Sequence, residues 1–231
     1  MIQNANIRSV LLYHLYPKGD WKNITKKLLS CVHHDDIFIH VNLDISDKLF
    51  SKNKILSRLK CIPKVKKIFI SGNDRKLGEV PGFQKLRNEI DFNQYDIATY
   101  IHSKGVTKSD NPNIKDWVEL MRYYILERHD ICIKAFGKGY ALYGVRLSKF
   151  KGGKRINCYR FSDFWYAGNF VSVNLNMLRD EFLNTPVPQD YYGVEAFWGL
   201  LCDLDLAFNA HETPYSLHDH PYPPELYRDD L

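Results

Sequence analysis

The chain has 231 residues, 45% of them hydrophobic, which is enough to bury the core of one domain. No apolar run approaches the length of a transmembrane helix, and residues 1–6 lack the basic start and apolar stretch of a signal peptide. We therefore expect a cytoplasmic protein.

The net charge and the cysteine spacing indicate which partners and which thiol state to expect. The net charge is +5, with basic clusters at residues 60–67 and 146–155. These clusters are interpreted either as solvated surface or as an attraction to phosphates, on a ligand or on an anionic membrane face that the protein contacts peripherally. No nucleic-acid-binding motif accompanies the charge, so nucleic acid is not an expected partner. The five cysteines lack paired or metal-binding spacing, which favours reduced thiols.

Strand-like apolar segments alternate with amphipathic helical segments along the first hundred residues. The pattern predicts strands at residues 9–14, 36–43, 67–71 and 97–101, separated by helices at 21–30, 48–59 and 83–90. This order implies a largely parallel sheet with right-handed crossovers. The predicted fold class is therefore α/β, with a doubly wound, mostly parallel sheet.

The second half of the chain is predicted to be more irregular. Its pattern predicts a long helix at 116–134, a strand at 140–145, a mobile basic loop at 146–155, a β-prone aromatic segment at 161–173, and helices at 175–182 and 194–202. The proline-rich residues 213–231 predict an extended, wrapping tail. We expect one domain over residues 1–212, with a nucleotide-binding half at about 7–110 and an acceptor half at about 111–212.

Polar side chains follow each of the first four predicted strands. Ligands of parallel sheets bind outside the carboxyl ends of the strands, so these side chains predict a binding cleft. The candidate donor-binding residues there are His14, Asp44, Asn73, Arg75, Lys76, His102 and Lys104. The alternative is that polar residues at these positions only cap strands and turns.

Two of these positions suggest particular chemistry. His102-x-Lys104 would place a cationic pair at a strand end, where it could face a diphosphate without a bridging metal. Asp44 is placed to accept hydrogen bonds from a ribose or a base edge, by analogy with acidic groups in dinucleotide-binding folds. An Asx turn is the alternative for Asp44, and a solvated side chain is the alternative for Lys104.

An aromatic segment in the second half suggests an acceptor platform. Trp165 and Tyr166 could stack on a sugar, although strand alternation allows only one of them to face the cleft and core packing is the alternative. Asn169 follows Gly168, which suggests close approach of the backbone to a ligand.

The motifs together resemble those of the rhamnan-synthesis F-like glycosyltransferases and similar small viral and bacterial sugar transferases. The resemblance is carried by Tyr95-Asp96, the apolar strand, His102-Ser-Lys104-Gly105, a helix with Trp117 and Arg122, the segment 164–170 and the acidic helix 193–198. It implies a GT-A-like fold and transfer of a hexosyl or rhamnosyl group from a UDP- or dTDP-linked sugar. The implied acceptor is a hydroxyl of a glycan, a lipid-linked sugar or a protein-linked sugar.

The resemblance also implies a general base. In inverting GT-A enzymes a carboxylate near the start of a late helix deprotonates the acceptor hydroxyl, and Glu195 occupies the similar position here. Asp190 and Asp163 are the further candidates. The alternative for Glu195 is a helix N-terminal carboxylate that favours the helix dipole.

No cofactor has a defined site in the sequence. The predicted strand end carries His102-x-Lys104 where GT-A enzymes carry an Asp-x-Asp metal site, and no histidine cluster has zinc-motif spacing. A divalent Mn or Mg ion carried by the nucleotide stays open, with His218 and His220 as weak candidate ligands.

Two other functions stay open at this point. The missing Asp-x-Asp favours a non-catalytic module that binds a glycan or a nucleotide on the same fold. The His/Asp clusters leave open a metal-dependent hydrolase.

Overall fold

A central seven-stranded sheet organises the protein, as seen in a computed structural model that describes residues 7–44, 49–108, 110–149 and 162–228. Its strands are β1 (Ser9–Leu15), β2 (Asp36–Leu43), β3 (Val65–Gly72), β4 (Ile97–His102), β5 (Leu142–Gly144), β8 (Val171–Asn174) and β9 (Ala207–Asn209). Two short strands, β6 (Leu147–Lys149) and β7 (Phe164–Tyr166), pair with each other in a separate sheet.

The sheet is parallel in its first half and mixed in its second. The strand order is β3-β2-β1-β4-β8-β5-β9; the pairs among β1 to β4 are parallel, and β8 is antiparallel to both of its neighbours. All seven residues of β1 are buried, as expected for a strand covered on both faces. The predicted α/β class with a doubly wound, mostly parallel sheet is confirmed.

Helices cover both faces of the sheet. They are α1 (Trp21–Leu29), α2 (Leu49–Lys60), α3 (Val80–Glu89), α4 (Pro112–Arg122), α5 (His129–Gly137), α6 (Leu175–Asn184) and α7 (Gly193–Phe197). Leu11 and Tyr13 of β1 join the core under α1, α4 and α5, while Val10 and Leu12 join the core under α3, α6 and α7. None of the helices that the structure describes is long and apolar enough to cross a membrane.

The long helix predicted at residues 116–134 is wrong in one respect, because the structure divides it. The Asn111 side chain caps α4 by accepting hydrogen bonds from the next turn's backbone, with proline at the first helical position. A five-residue π-helical turn, Tyr123–Glu127, follows α4. The helical path then breaks at Arg128, whose ψ of 49° lies outside the helical region, and α5 begins at the next residue.

Two other predicted elements are shorter in the structure. The helix predicted at 194–202 ends as α7 at Phe197 and continues as a 3-10 turn. The β-prone segment 161–173 becomes β7 and β8, because Gly168 and Asn169 take left-handed conformations with φ of 100° and 60°. In the predicted basic loop, Leu147–Lys149 forms β6, and residues 150–155 lie outside the described residues.

The C-terminal residues 213–228 pack against α4. Leu217 is fully buried in the core that also contains the α4 side chains. The backbone N–H of Tyr222 donates to the Asp116 carboxylate over 3.0 Å, and Arg228 donates to Glu127 over 2.7 Å. The predicted extended tail is therefore held by both apolar and charged contacts.

Four histidines are buried in the protein in the neutral, unprotonated form. His14, His34, His40 and His129 are each at most 7% exposed, and the Nδ1 atom of each has no hydrogen-bond partner among the described residues. Burial lowers the pKa of His14 and His129 to about 4, that of His40 to about 3, and that of His34 well below its usual range.

The buried histidines predict that acid destabilises the fold well above the pKa range of carboxylates. Below a pH of about 6.5 these histidines become protonated in the unfolded chain but stay unprotonated in the folded chain. As the pH falls, each of them therefore lowers the free energy of unfolding by about 1.4 kcal/mol per pH unit, until the pH reaches its folded pKa. Urea unfolding at pH 7.5, 6.5 and 5.5 measures this slope. His129→Gln should reduce the slope by one histidine's share, and the exposed His220→Gln should leave it unchanged. A stability that stays constant from pH 7.5 to 5.5 would contradict the buried neutral state.

Candidate active site

A cleft of about 460 Å³ lies at the carboxyl ends of β1 to β4. The predicted donor-binding residues that line it are His14, Asn73, Arg75, His102 and Lys104. The first turn before α3, the loop after β4, Tyr191 before α7 and His218 of the tail supply further walls. The structure thus brings together strand ends that are far apart in sequence, as the strand-end rule predicts.

The carboxylate of Glu79, just before α3, forms the centre of the cleft floor. Its Oε1 atom lies 2.6 Å from His102 Nδ1 at the end of β4. Its Oε2 atom accepts hydrogen bonds from Tyr100 Oη (2.9 Å) and from Asn169 Nδ2 (2.8 Å). Burial alone would raise the pKa of this carboxyl, but the charge and hydrogen bond of His102 outweigh burial and lower it to about 2. Glu79 is therefore an anion at neutral pH.

The geometry of His102 corrects part of the predicted cationic pair. Its Nε2 atom lies 3.0 Å from the carbonyl oxygen of Gly168, while Nδ1 faces the Glu79 carboxylate. Both ring nitrogens face acceptors, and only the imidazolium form can donate to both. Because both donors are already used, His102 does not offer a hydrogen bond to a diphosphate; it joins β4 to Glu79 and to the turn before β8.

Lys104 is held on an aromatic platform that also carries a second cation. Its Nζ atom lies 3.9 Å from the centre of the Trp117 ring, and the guanidinium carbon of Arg146 lies 5.0 Å from the same centre. The His218 ring meets Trp117 edge-on at 4.6 Å. Burial lowers the pKa of Lys104 and that of Arg146, and the negative charge of Glu195 opposes the shift in both cases. These residues form what we term the Trp117 cation cluster: Lys104, Arg146, Trp117 and His218.

Asp44 lies behind the cleft wall and orders the residues in front of it. Its carboxylate accepts hydrogen bonds from Asn73 Nδ2 and Tyr16 Oη, both over 2.8 Å, and pairs with Lys18 over 3.1 Å. The hydrogen bonds of Asn73 and Tyr16 lower its pKa to about 2. Asn42 Nδ2 in turn donates to Asn73 Oδ1 over 2.9 Å. Asp44 thus orients groups that line the cleft and does not line it directly.

Lys76 and Arg75, predicted together, are placed differently. Arg75 lines the cleft, whereas Lys76 lies in an exposed turn where its backbone N–H donates to Asp74 Oδ1 over 2.8 Å. Lys76 is not among the residues that line the cleft, so the structure does not bring its side chain to the other donor candidates.

The predicted acceptor platform is wrong for two of its three residues. Tyr166 is fully buried and donates to the Phe208 carbonyl over 2.9 Å, so its ring has no face for a sugar. Asn169 is 4% exposed; its amide nitrogen donates to Glu79 and its amide oxygen accepts from Trp198 Nε1 over 2.6 Å. Trp165 is half-buried, in line with the alternation of strand side chains. A further aromatic residue at the cleft is Tyr191, which is 58% exposed.

The three candidate carboxylates have different surroundings. Glu195 is half-buried in α7, and its negative charge opposes the lowering of the pKa of Lys104 and of Arg146. Asp190 accepts the Tyr192 N–H over 3.2 Å in the turn before α7. Asp163 is exposed at the start of β7. Glu195 is therefore the candidate whose charge is coupled to the cleft cations.

Within the described residues there is no group of three or more histidine, cysteine, aspartate or glutamate side chains arranged to hold a metal ion. The weak candidates are separated by their contacts: His218 packs on Trp117, and His220 packs on Tyr215 with ring centres 5.0 Å apart. The hydrolase alternative consequently has no ligand cluster in this part of the chain.

Glu79 and Arg146 are two important site residues that the sequence did not predict. Glu79 precedes a helix, where an acidic residue is common for reasons of helix stability alone. Arg146 follows β5 within a run of basic residues, and nothing in that run distinguishes it from its neighbours.

The partly buried Glu79–His102 pair predicts a large stability effect. Glu79→Gln removes the carboxylate that faces His102 Nδ1 and that accepts hydrogen bonds from Tyr100 and Asn169, so we expect the free energy of unfolding to fall by about 3 kcal/mol. Tyr100→Phe removes a single hydrogen bond to the same carboxylate and should reduce it by about 1 kcal/mol. Urea unfolding at pH 7.5 compares the two variants. Equal losses in the two variants would show that the ion pair is not a major support of the fold.

Comparisons with known proteins give the following likenesses. No protein-family model and no curated protein matches the chain. Among solved structures, the chain is similar to S. aureus TarS 1-349, with a TM-score of 0.46 and 10% identity over 84% of this chain and 55% of that one. It is also similar to S. aureus TarS 1-349 in complex with UDP-GlcNAc, with a TM-score of 0.42 and 11% identity over 84% of this chain and 54% of that one. The chain thus spans little more than half the length of these structures.

Proposed function

We propose that the protein is a GT-A-like glycosyltransferase that moves a sugar from a nucleoside diphosphate sugar to an acceptor hydroxyl. The observation that carries this proposal is the Trp117 cation cluster, whose members Lys104 and His218 line the cleft where ligands of parallel sheets bind. Lys104 and Arg146 are partly desolvated there, so an incoming anion gains more from them than from cations in bulk water.

The charge balance of the cleft supports a diphosphate as its ligand. Glu79 and His102 face each other, which leaves the positive charges of Lys104 and Arg75 along the cleft wall. A glycosyl transfer releases a diphosphate, and cations placed beside it stabilise the negative charge that develops as the bond breaks. We therefore assign the diphosphate to Lys104 and its neighbours. His102 acts as a positioning residue.

The other end of the cleft supports recognition of a nucleoside. Hydrogen bonds from Asn42 to Asn73, and from Asn73 to Asp44, fix which amide atoms are donors and which are acceptors. Amides held in one orientation discriminate between base edges, because a wrong partner leaves polar atoms unpaired. We propose that this polar group holds the base or ribose of a UDP- or dTDP-linked sugar.

Glu195 is proposed as the general base of an inverting reaction. The acceptor hydroxyl oxygen attacks the anomeric carbon and gives its proton to Glu195. The bond from that carbon to the diphosphate oxygen breaks, and its electron pair leaves with the diphosphate. The influence of the Glu195 charge on Lys104 and Arg146 supports this assignment.

A non-catalytic nucleotide-binding module is the second candidate. The feature that favours it is the end of β4, where His102 and Lys104 stand in place of a carboxylate pair. Such a module would bind the same diphosphate in the same cleft, so only turnover of a nucleotide sugar separates the two functions.

Replacement of Lys104 tests the diphosphate site. Lys104→Ala should weaken binding of UDP or dTDP by about tenfold or more, because it removes a charged contact to the phosphates. Isothermal titration with manganese, and again with chelator, measures the affinity and its dependence on metal. The control is Lys138→Ala, an exposed lysine that does not line the cleft. Equal affinity of the two variants would remove Lys104 from the site.

Replacement of Glu195 tests catalysis separately from binding. Glu195→Gln should reduce release of the nucleoside diphosphate by about a hundredfold or more while its affinity for the diphosphate changes little. The matched control is Glu181→Gln on the exposed face of α6. Unchanged turnover in Glu195→Gln would exclude it as the base, and binding without turnover in the unmodified protein would favour the non-catalytic module.

A further inference from the structure

A second depression, the α1–α4 groove, lies next to the candidate cleft. It has a volume of about 240 Å³ between the two helices. The cleft and the groove share four lining residues from the loop after β4 and the start of α4: Lys104, Gly105, Lys108 and Ile114. A molecule in the groove would therefore end beside the same lysine that faces the cleft.

The walls of the α1–α4 groove are apolar. Ile24 and Leu28 lie one turn apart on α1, and Ile114 and Val118 lie one turn apart on α4. Side chains at this spacing share one helix face, so each helix presents a short apolar stripe to the groove. Leu28 and Ile114 are already buried in the core and form the floor of the groove, whereas Ile24 and Val118 are half-buried. An apolar chain in the groove would therefore cover the surface that Ile24 and Val118 still expose.

The rim of the groove is cationic. Lys27 is neutralised by Glu119, which lies 2.5 Å from its Nζ atom, and Lys104 rests on Trp117. Lys108 and Lys115 are exposed and form no ion pair with any described residue. The acidic residue at the groove, Asp20, accepts a hydrogen bond from Asn23 over 2.7 Å. The rim thus has two positive charges that lack a protein partner in the described part of the chain.

The apolar walls and the cationic rim together indicate which kind of ligand fits the groove. A nucleotide has the anionic group but no apolar chain, and the basic residues 151–155 of this protein carry the same charge sign as the rim. We propose that the α1–α4 groove binds the apolar chain of a phosphorylated lipid, whose phosphate contacts Lys108 and Lys115. The lipid is the acceptor carrier: a sugar attached to its phosphate presents the attacking hydroxyl to the cleft.

This inference rests on the proposed function for the role of the lipid, but not for its binding. In the reaction, the hydroxyl proton of the lipid-borne sugar passes to Glu195 as its oxygen bonds to the anomeric carbon, and the diphosphate leaves with the electron pair. The lipid phosphate is unchanged. Its part is to hold the acceptor beside Lys104, which lines both the groove and the cleft.

Titration with short alkyl phosphates tests the groove directly. Butyl phosphate, octyl phosphate, inorganic phosphate and octyl glucoside are compared below their micelle concentrations, without nucleotide. We expect octyl phosphate to bind about tenfold or more tightly than butyl phosphate, because the added methylenes become buried. It should also exceed octyl glucoside, which lacks the charge that the lysines attract. Equal affinity for the butyl and octyl phosphates would overturn the proposal.

Substitutions in the groove test whether octyl phosphate binds there. Val118→Asp places a charge in the apolar stripe and should reduce octyl phosphate affinity to that of butyl phosphate, whereas Met177→Asp, at an exposed position of α6, should leave it unchanged. Lys115→Glu alters only an exposed side chain, so it serves if Val118→Asp fails to fold by circular dichroism, and it should weaken octyl phosphate about tenfold. Unchanged affinity in Lys115→Glu would overturn the proposal.

The same measurements separate this inference from the proposed function. Dependence on chain length together with absence of nucleotide binding would overturn the glycosyltransferase and retain a lipid phosphate groove. Nucleotide binding and turnover without dependence on chain length would overturn the groove and retain the transferase.

Discussion

The partly buried pair of Glu79 and His102 is the interaction on which the geometry of the cleft depends. It joins the start of α3 to the end of β4, and through Gly168 and Asn169 it also holds the turn between β7 and β8. That turn is in close contact with α4: a Cβ atom on Gly168 would come within 2.9 Å of Trp117 Nε1. The position of Trp117, and with it that of Lys104, is thus linked to an ion pair on the opposite side of the strand. Each partner of this pair has further hydrogen bonds to the protein, and these restrain both side chains.

The cleft separates two kinds of charge. The charges of Glu79 and His102 satisfy each other and contribute architecture, whereas Lys104 and Arg146 share one indole and are opposed chiefly by Glu195. Partly desolvated cations of this kind are unfavourable while the site is empty, and their interaction with a bound anion is correspondingly strong. The same physical reasoning connects the cleft to the neighbouring groove, since Lys104 belongs to both.

The sequence predicted the first half of the fold well because its signals are local. Buried strands and amphipathic helices have distinct periodicities, and the strand-end rule then placed His14, Asn73 and Lys104 together. The missed features depend on contacts between distant residues: the hydrogen bond from Asn169 to Glu79 spans 90 positions. The break after α4 has no glycine or proline to signal it, and alternation along β7 does not show which of Trp165 and Tyr166 faces the core until the partner layers are known.

The C-terminal tail affects the order in which the walls of the cleft form during synthesis. His218 reaches the cleft from the segment that Tyr222 and Arg228 fasten to α4 and to the π-helical turn after it. During synthesis on the ribosome, the strands that supply the cleft floor emerge long before this segment. A nascent chain with a finished sheet therefore still lacks one wall of its cleft. Docking of residues 213–228 therefore completes the wall of the cleft that His218 supplies.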